Sequence, residues 1–155
     1  MQLIKNTAGD TIVEVLVVLA VVGMALGISY ATANRSLAGA RQAQEHSEAL
    51  EYIQSQIEDL RVLAPNATAD PNKNIFGQTE PFCISDPSVA TPIVPLTDIV
   101  LTDYTNYPAS CVLGSFYHLA ITYNSSDDSF TVSAIWDDVR GTGQDQVSLV
   151  YRLHP

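Results

Sequence analysis

One carboxylate stands at the head of the longest apolar run in the chain. Glu14 is followed by Val15-Leu16-Val17-Val18-Leu19-Ala20, and no further charge occurs before Arg35. An acid inside hydrocarbon costs about 2.5–3.5 kcal/mol on insertion scales, so it needs a cationic partner or a place at headgroup level. Both readings of Glu14 stand on the run alone. The other candidates for chemistry are few. His46, His118 and His154 stand apart from one another, and no Ser-His-Asp order, H-E-x-x-H, glycine-rich phosphate loop or zinc pattern occurs. Asp137, Asp138 and Asp145 surround a glycine-containing loop and offer the oxygens that calcium prefers, but not at EF-hand spacing. They are read as solvated turn acids. The expectation is a chain that is not an enzyme, with no catalytic residue, no cofactor and no metal.

The element that carries Glu14 must be a helix. From Val15 to Ala33 no residue is charged, which approaches the roughly 20 apolar residues of a membrane span. A buried strand would be far shorter, and a soluble amphipathic helix would show a polar face. Gly23 and Gly27 form a G-x-x-x-G with Ala31 one turn on, small residues that let another helix approach closely. From Arg35 the pattern turns amphipathic. Leu37, Ala40, Ala43, Ser47, Leu50, Ile53, Ile57 and Leu60 recur at three and four, with Arg41, Gln42, Gln44, Glu45, Glu48, Glu51, Gln54, Glu58 and Arg61 on the other sides. Pro65 ends the pattern. The spacing predicts one helix from Thr11 to about Leu63, its second half packing on a globular part through the stripe.

Gly9-Asp10-Thr11-Ile12-Val13-Glu14 and the apolar run behind it resemble the prepilin start of type IV pilins and pseudopilins. That family's pattern is Gly-Phe-Thr-Leu-Ile/Val-Glu followed by an apolar helix. The resemblance covers about the first 60 residues. It implies a structural subunit of a type IV pilus or type II secretion pseudopilus. A prepilin peptidase would cut after Gly9 and methylate the new N-terminus at Asp10. Glu14 would neutralise the N-terminus of a neighbouring subunit, with Gly23 and Gly27 in the helix-packed filament core. Further implied partners are other pilin or pseudopilin subunits, the inner-membrane assembly machinery and membrane lipid. The chain would wait as a single-pass protein of the inner membrane, its globular part outside the cytoplasm, before joining a cell-surface or periplasmic filament. Asp10 departs from the family's phenylalanine and puts a second acid near Glu14. The absence of proline between Asp10 and Ala64 is another departure, since many pilins have one here.

The alternative is a membrane-anchored or secreted extracytoplasmic binding module. For a secretory signal peptide Lys5 would be the basic region, Ile12–Ile28 the apolar region and Ala31-Thr32-Ala33 the cleavage site. Asp10 and Glu14 sit where positive charge is wanted, and the apolar region exceeds the usual length.

The chain has 155 residues and a net charge of −10. Loss of Lys5 with the leader would leave 6 basic against 17 acidic residues, or −11. Such a surface argues against nucleic acid and against a basic lipid-binding patch. Residues 64–110 hold seven of the eight prolines and read as an irregular connector, with one short strand near 98–101. Cys83 and Cys111 are the only cysteines. Outside the cytoplasm they are expected to form a disulfide that clamps this connector. Period-two alternation over 116–124, 129–137 and 146–153, separated by Ser-Asp and Gly-rich turns, predicts three antiparallel strands.

The expected fold is therefore α+β: a long N-terminal helix packed on a C-terminal three-stranded antiparallel meander, the layout the pilin resemblance also implies. Its parts are a leader (1–9), a transmembrane or filament-core segment (10–33), an amphipathic continuation (34–63) and an extracytoplasmic globular part (64–155) with the clamped loop (64–110) and sheet (116–153).

Overall fold

The computed structural model describes residues 8–97, 106–139, 141 and 143–153, with side chains from Ile12 onward. Lys5, the strand expected near 98–101, His154 and the side chain of Asp10 lie outside the described residues. A single helix, α1, runs from Ala8 to Leu63 over 56 residues, consistent with the absence of an internal proline. It tightens into a 3-10 turn over Ala64–Asn66, with Pro65 in the first positions, where the missing N–H leaves no bond unmade.

Two compact units meet within α1, Met1–Arg41 and Gln42–Pro155. In the first, the large apolar side chains from Ile12 to Tyr30 are exposed around the whole helix, Val22 at 48% and Tyr30 at 71% marking the limits. Two aliphatic hydroxyls near its end turn back onto the helix: Ser29 Oγ donates to the Ala25 carbonyl at 2.8 Å and Thr32 Oγ1 to the Ile28 carbonyl at 2.9 Å. Both are thereby satisfied without water. The helix is long and apolar enough to cross a membrane.

In the second unit the last turns of α1 lie on an antiparallel sheet of six strands. These are β1 (Phe82–Ile84), β2 (Ile93–Pro95), β3 (Val112–Leu113), β4 (Tyr117–Asn124), β5 (Ser129–Asp137) and β6 (Gln144–Arg152). The order is β2-β1-β4-β5-β6, with β3 beside β4. The three expected strands are β4, β5 and β6. The connector is less irregular than its composition suggested, since it supplies β1 and β2. Phe82, Cys83 and Ile84 are all buried, so this strand lacks the alternation that would have disclosed it.

The sheet is covered on both faces. Toward the helix, Phe82, Ile84, Tyr117, Leu119, Ile121, Phe130, Val132, Ala134 and Trp136 pack on Ala49, Ile53, Leu60 and Leu63. On the opposite face Cys83, Ala120, Cys111 and Leu96 form a second, smaller cluster with Val94 and Tyr107 against it. The Cys83–Cys111 disulfide, with Cα atoms 5.7 Å apart, lies in this second cluster. It joins β1 to the 3-10 turn over Ala109–Cys111.

The helix face differs from the expected stripe. Leu37, Ala40, Ala43 and Ser47 are exposed, while Ala49, Gln56 and Leu63 are buried. Gln56 explains why hydropathy alone misplaces the face. Its Nε2 donates to the Ile84 carbonyl and its Oε1 accepts from the Ile84 N–H, both at 3.0 Å. The side-chain amide thus pairs both backbone groups of Ile84 as a neighbouring strand would.

Two substitutions test this packing. Gln56→Ala leaves the Ile84 N–H and C=O buried and unpaired, and should destabilise the fold by about 2–4 kcal/mol in urea denaturation. Gly114, in the β3–β4 turn, has φ +57°, and a Cβ there would lie 2.8 Å from the Tyr52 hydroxyl and 3.1 Å from the Tyr117 ring. Gly114→Ala should cost about 2 kcal/mol or more, read as a lower urea midpoint at unchanged slope.

Candidate functional site

The apolar helix is the first candidate site. Glu14 is exposed two residues inside the described side chains, among exposed Ile12, Val13, Val15, Leu16, Val17 and Val18. Helical periodicity puts Val18 beside Glu14 at i+4, an aliphatic neighbour on the acid's own face. A Cβ built on Gly23 or Gly27 meets nothing within 4 Å. The groove that these glycines make is therefore open on this chain, with room for a second backbone to approach. The expected disulfide partners, Cys83 and Cys111, are joined.

The seam where α1 meets the sheet holds a second set of polar groups, at positions the sequence placed on the solvent sides of the helix. Glu45 Oε2 accepts from Trp136 Nε1 at 3.1 Å. Tyr117 donates its hydroxyl to Glu48 Oε2 at 3.1 Å, with the Glu45 carbonyl 3.3 Å away. His46 lies edge-on to the Trp136 ring at 5.1 Å, and its Nε2 is 3.8 Å from Asp145 Oδ2. Gln42 Nε2 also reaches Asp145, at 3.4 Å. The Trp136 ring in turn meets Tyr117 edge-on at 5.4 Å, and Tyr52 tilts against Tyr117 at 5.3 Å.

These bonds hold α1 against the sheet. Burial and the Glu48 carboxylate push the Tyr117 phenol well above its ordinary range, so it remains a hydrogen-bond donor. The aromatic rings contribute apolar area while their polar edges meet carboxylates at the margin of the core. The spacing Glu45, Glu48, Tyr52 was the available signal. These residues share one helical face, and two carboxylates opposite Tyr and Trp are acceptors facing donors.

Of the acids considered for calcium, Asp137 is exposed and Asp138 half-buried at the β5–β6 turn, and Asp145 is engaged by Gln42 and His46. Among the described residues no group of three or more His, Cys, Asp or Glu is placed to hold a metal. His118, on the disulfide side of β4, meets the Tyr107 ring edge-on at 5.0 Å. No protein-family model, curated protein or solved structure matches the chain.

His118 generates a pH prediction. Burial holds its imidazole below the ordinary histidine range, outweighing the backbone bonds at Ile135 and Phe116 and the charge of Asp137 that act the other way. The unfolded chain therefore takes up this proton at a higher pH than the folded one. Stability is full above about pH 6.5, the unperturbed histidine value, and falls as pH drops from there toward the folded value. The carboxylates held low by hydrogen bonds, Asp86 and Asp127, lose their contribution only further into acid. Urea midpoints between pH 7.5 and 5.5 should decline for wild type, and His118→Gln should flatten that decline.

Proposed function

We propose that this chain is a pilin-like structural subunit of a type IV filament, either a type IV pilus or a type II secretion pseudopilus. It would be assembled from the inner membrane after removal of the nine-residue leader. The observation that carries the reading is the first unit of α1: apolar on every side, with one acid at its start and an open glycine groove. Lipid suits such a surface before assembly, since a helix satisfies its own backbone groups. A sheath of like helices suits it afterwards. The motif Gly9-Asp10-Thr11-Ile12-Val13-Glu14 supports the same reading, as does the α+β head built on the end of the same helix.

In this reading a prepilin peptidase cleaves between Gly9 and Asp10 and methylates the amino group of Asp10. Glu14 then receives the N-terminus of an adjacent subunit in a water-poor core, where opposite charges attract far more strongly than in water. The pair sets the axial register between subunits. Gly23 and Gly27 let neighbouring helices approach. The disulfide-clamped head lies outside the cytoplasm.

Mass spectrometry of the mature chain tests the processing step. Asp10 should be the first residue. Met1 first would indicate a plain membrane anchor, and Asn34 first a secretory signal peptide. Replacement of Gly9 by a bulky residue should leave the longer precursor in the membrane and none in filaments.

The acid is tested separately. Glu14→Ala removes a desolvation cost of about 2.5–3.5 kcal/mol, so membrane abundance should hold or rise while filament incorporation falls. Glu14→Gln should lie between Glu14→Ala and wild type. Assembly of Glu14→Ala at the wild-type level would mean that the carboxylate only sits at headgroup depth.

A further inference from the structure

Asp10 stands where the family pattern has phenylalanine, and it changes the charge at a junction between subunits. With the leader removed, this one residue carries both the chain's ammonium group and a carboxylate. Methylation keeps the ammonium charge. A terminus of this kind has no net charge. With Glu14, the segment from Asp10 to Asn34 holds two carboxylates against one ammonium, a net charge of −1. The next cation is Arg35. On one continuous helix it stands roughly 30 Å beyond Glu14, too far to serve as its partner.

The two roles at such a junction are separable. As an acceptor the chain is complete. Glu14 is exposed on α1 among aliphatic side chains, and a neighbouring terminus without an acid of its own would neutralise it. As a donor the chain cancels itself. Its ammonium arrives with its own carboxylate, so Glu14 of a second copy would meet no net positive charge. A stack of identical copies would place one uncompensated carboxylate at every junction of a water-poor core, where an unpaired charge is strongly disfavoured.

We propose that this chain is an acceptor-only subunit. Its Glu14 receives the N-terminus of a pilin-like subunit of different sequence, one whose first mature residue carries no acid. Its own terminus does not engage Glu14 of a second copy. Inside a run of subunits that terminus would leave the next acid unneutralised, so the place that fits is the end of a run of other subunits. This inference rests on the filament reading and on cleavage after Gly9, and it adds the kind of partner that Glu14 takes.

Directional cross-linking tests it. Residue 10 of a donor beside residue 14 of a parallel acceptor sets a four-residue offset. That offset brings Val17 of the donor to Val21 of the acceptor, each on the helical face of its charged group and exposed, at 56% and 60%. Full-length donor copies with Val17→Cys and acceptor copies with Val21→Cys are produced alongside a prepilin peptidase. Mass spectrometry verifies that both begin at residue 10. The copies are mixed in detergent micelles, and peptide mapping quantifies the 17–21 disulfide. Asp10→Phe in the donor stands in for the partner. Against Glu14 acceptors, Asp10→Phe donors should give about tenfold more link than Asp10 donors. Against Glu14→Gln acceptors the order should reverse, because the Asp10 terminus is already neutral while the Asp10→Phe terminus brings an unpaired ammonium. A packing effect of phenylalanine would not change sign with residue 14. Equal yields from both donors against Glu14 would overturn the inference and leave the filament reading standing. So would an advantage of Asp10→Phe that survives Glu14→Gln. No link even from Asp10→Phe donors to Glu14, or chains that begin at Met1, would overturn the reading above and this inference with it.

Discussion

Backbone hydrogen bonding continues through α1 from Ala8 to Leu63, so one helical ladder carries two surfaces suited to different surroundings. Residues 12–30 are apolar on every side and exposed in the chain by itself. Residues 45–63 bury one face only. No proline or bulge separates the two segments, and the change in side chains alone marks the transition. The head is built directly on the end of this helix: Ile53, Leu60 and Leu63 are core residues of the sheet. Removing the last turns of α1 would open the helix-facing core.

The seam between helix and sheet uses polar residues as well as apolar ones. Gln56 is almost wholly buried, and its amide serves both backbone groups of Ile84. Glu45 and Glu48 accept from the polar edges of Trp136 and Tyr117. Directional bonds of this kind define the rotation of the helix more sharply than apolar contact, which is non-directional. They also account for the carboxylates on the inward side: each meets a donor at the rim of the core and so avoids the cost of an unpaired polar group.

The connector illustrates the same accounting on the far face. Cys83 turns away from the helix, between Phe82 and Ile84, which turn toward it. Its disulfide to Cys111 draws the segment before β3 against Ala120 and Leu96. Covalent closure limits the unfolded chain, and in the chain-entropy model a loop of this order contributes about 3–4 kcal/mol. A composition rich in proline and short polar residues would not by itself hold such a segment in place.

The sequence by itself determined what depends on local pattern. An uncharged apolar run implies a helix long enough for a bilayer, and period-two alternation marks β4, β5 and β6 nearly to the residue. Pro65 places the end of α1, and with only two cysteines Cys83 and Cys111 could pair only with each other within the chain. Glu14, Gly23 and Gly27 were conspicuous because each breaks an otherwise uniform stretch. Only tertiary structure decided what depends on partners distant in sequence. β1 and β2 are too short, and β1 too uniformly buried, to carry a period. The inward face of α1 is turned from Ala43 and Ser47 to Glu45, Ala49 and Gln56, because Trp136, Tyr117 and Ile84 supply the matching hydrogen bonds from 28 to 91 residues away. A hydropathy pattern records what a side chain prefers in the absence of a partner. Whether a glutamate or a glutamine can face the core is settled only when the fold brings its donor or acceptor within about 3 Å.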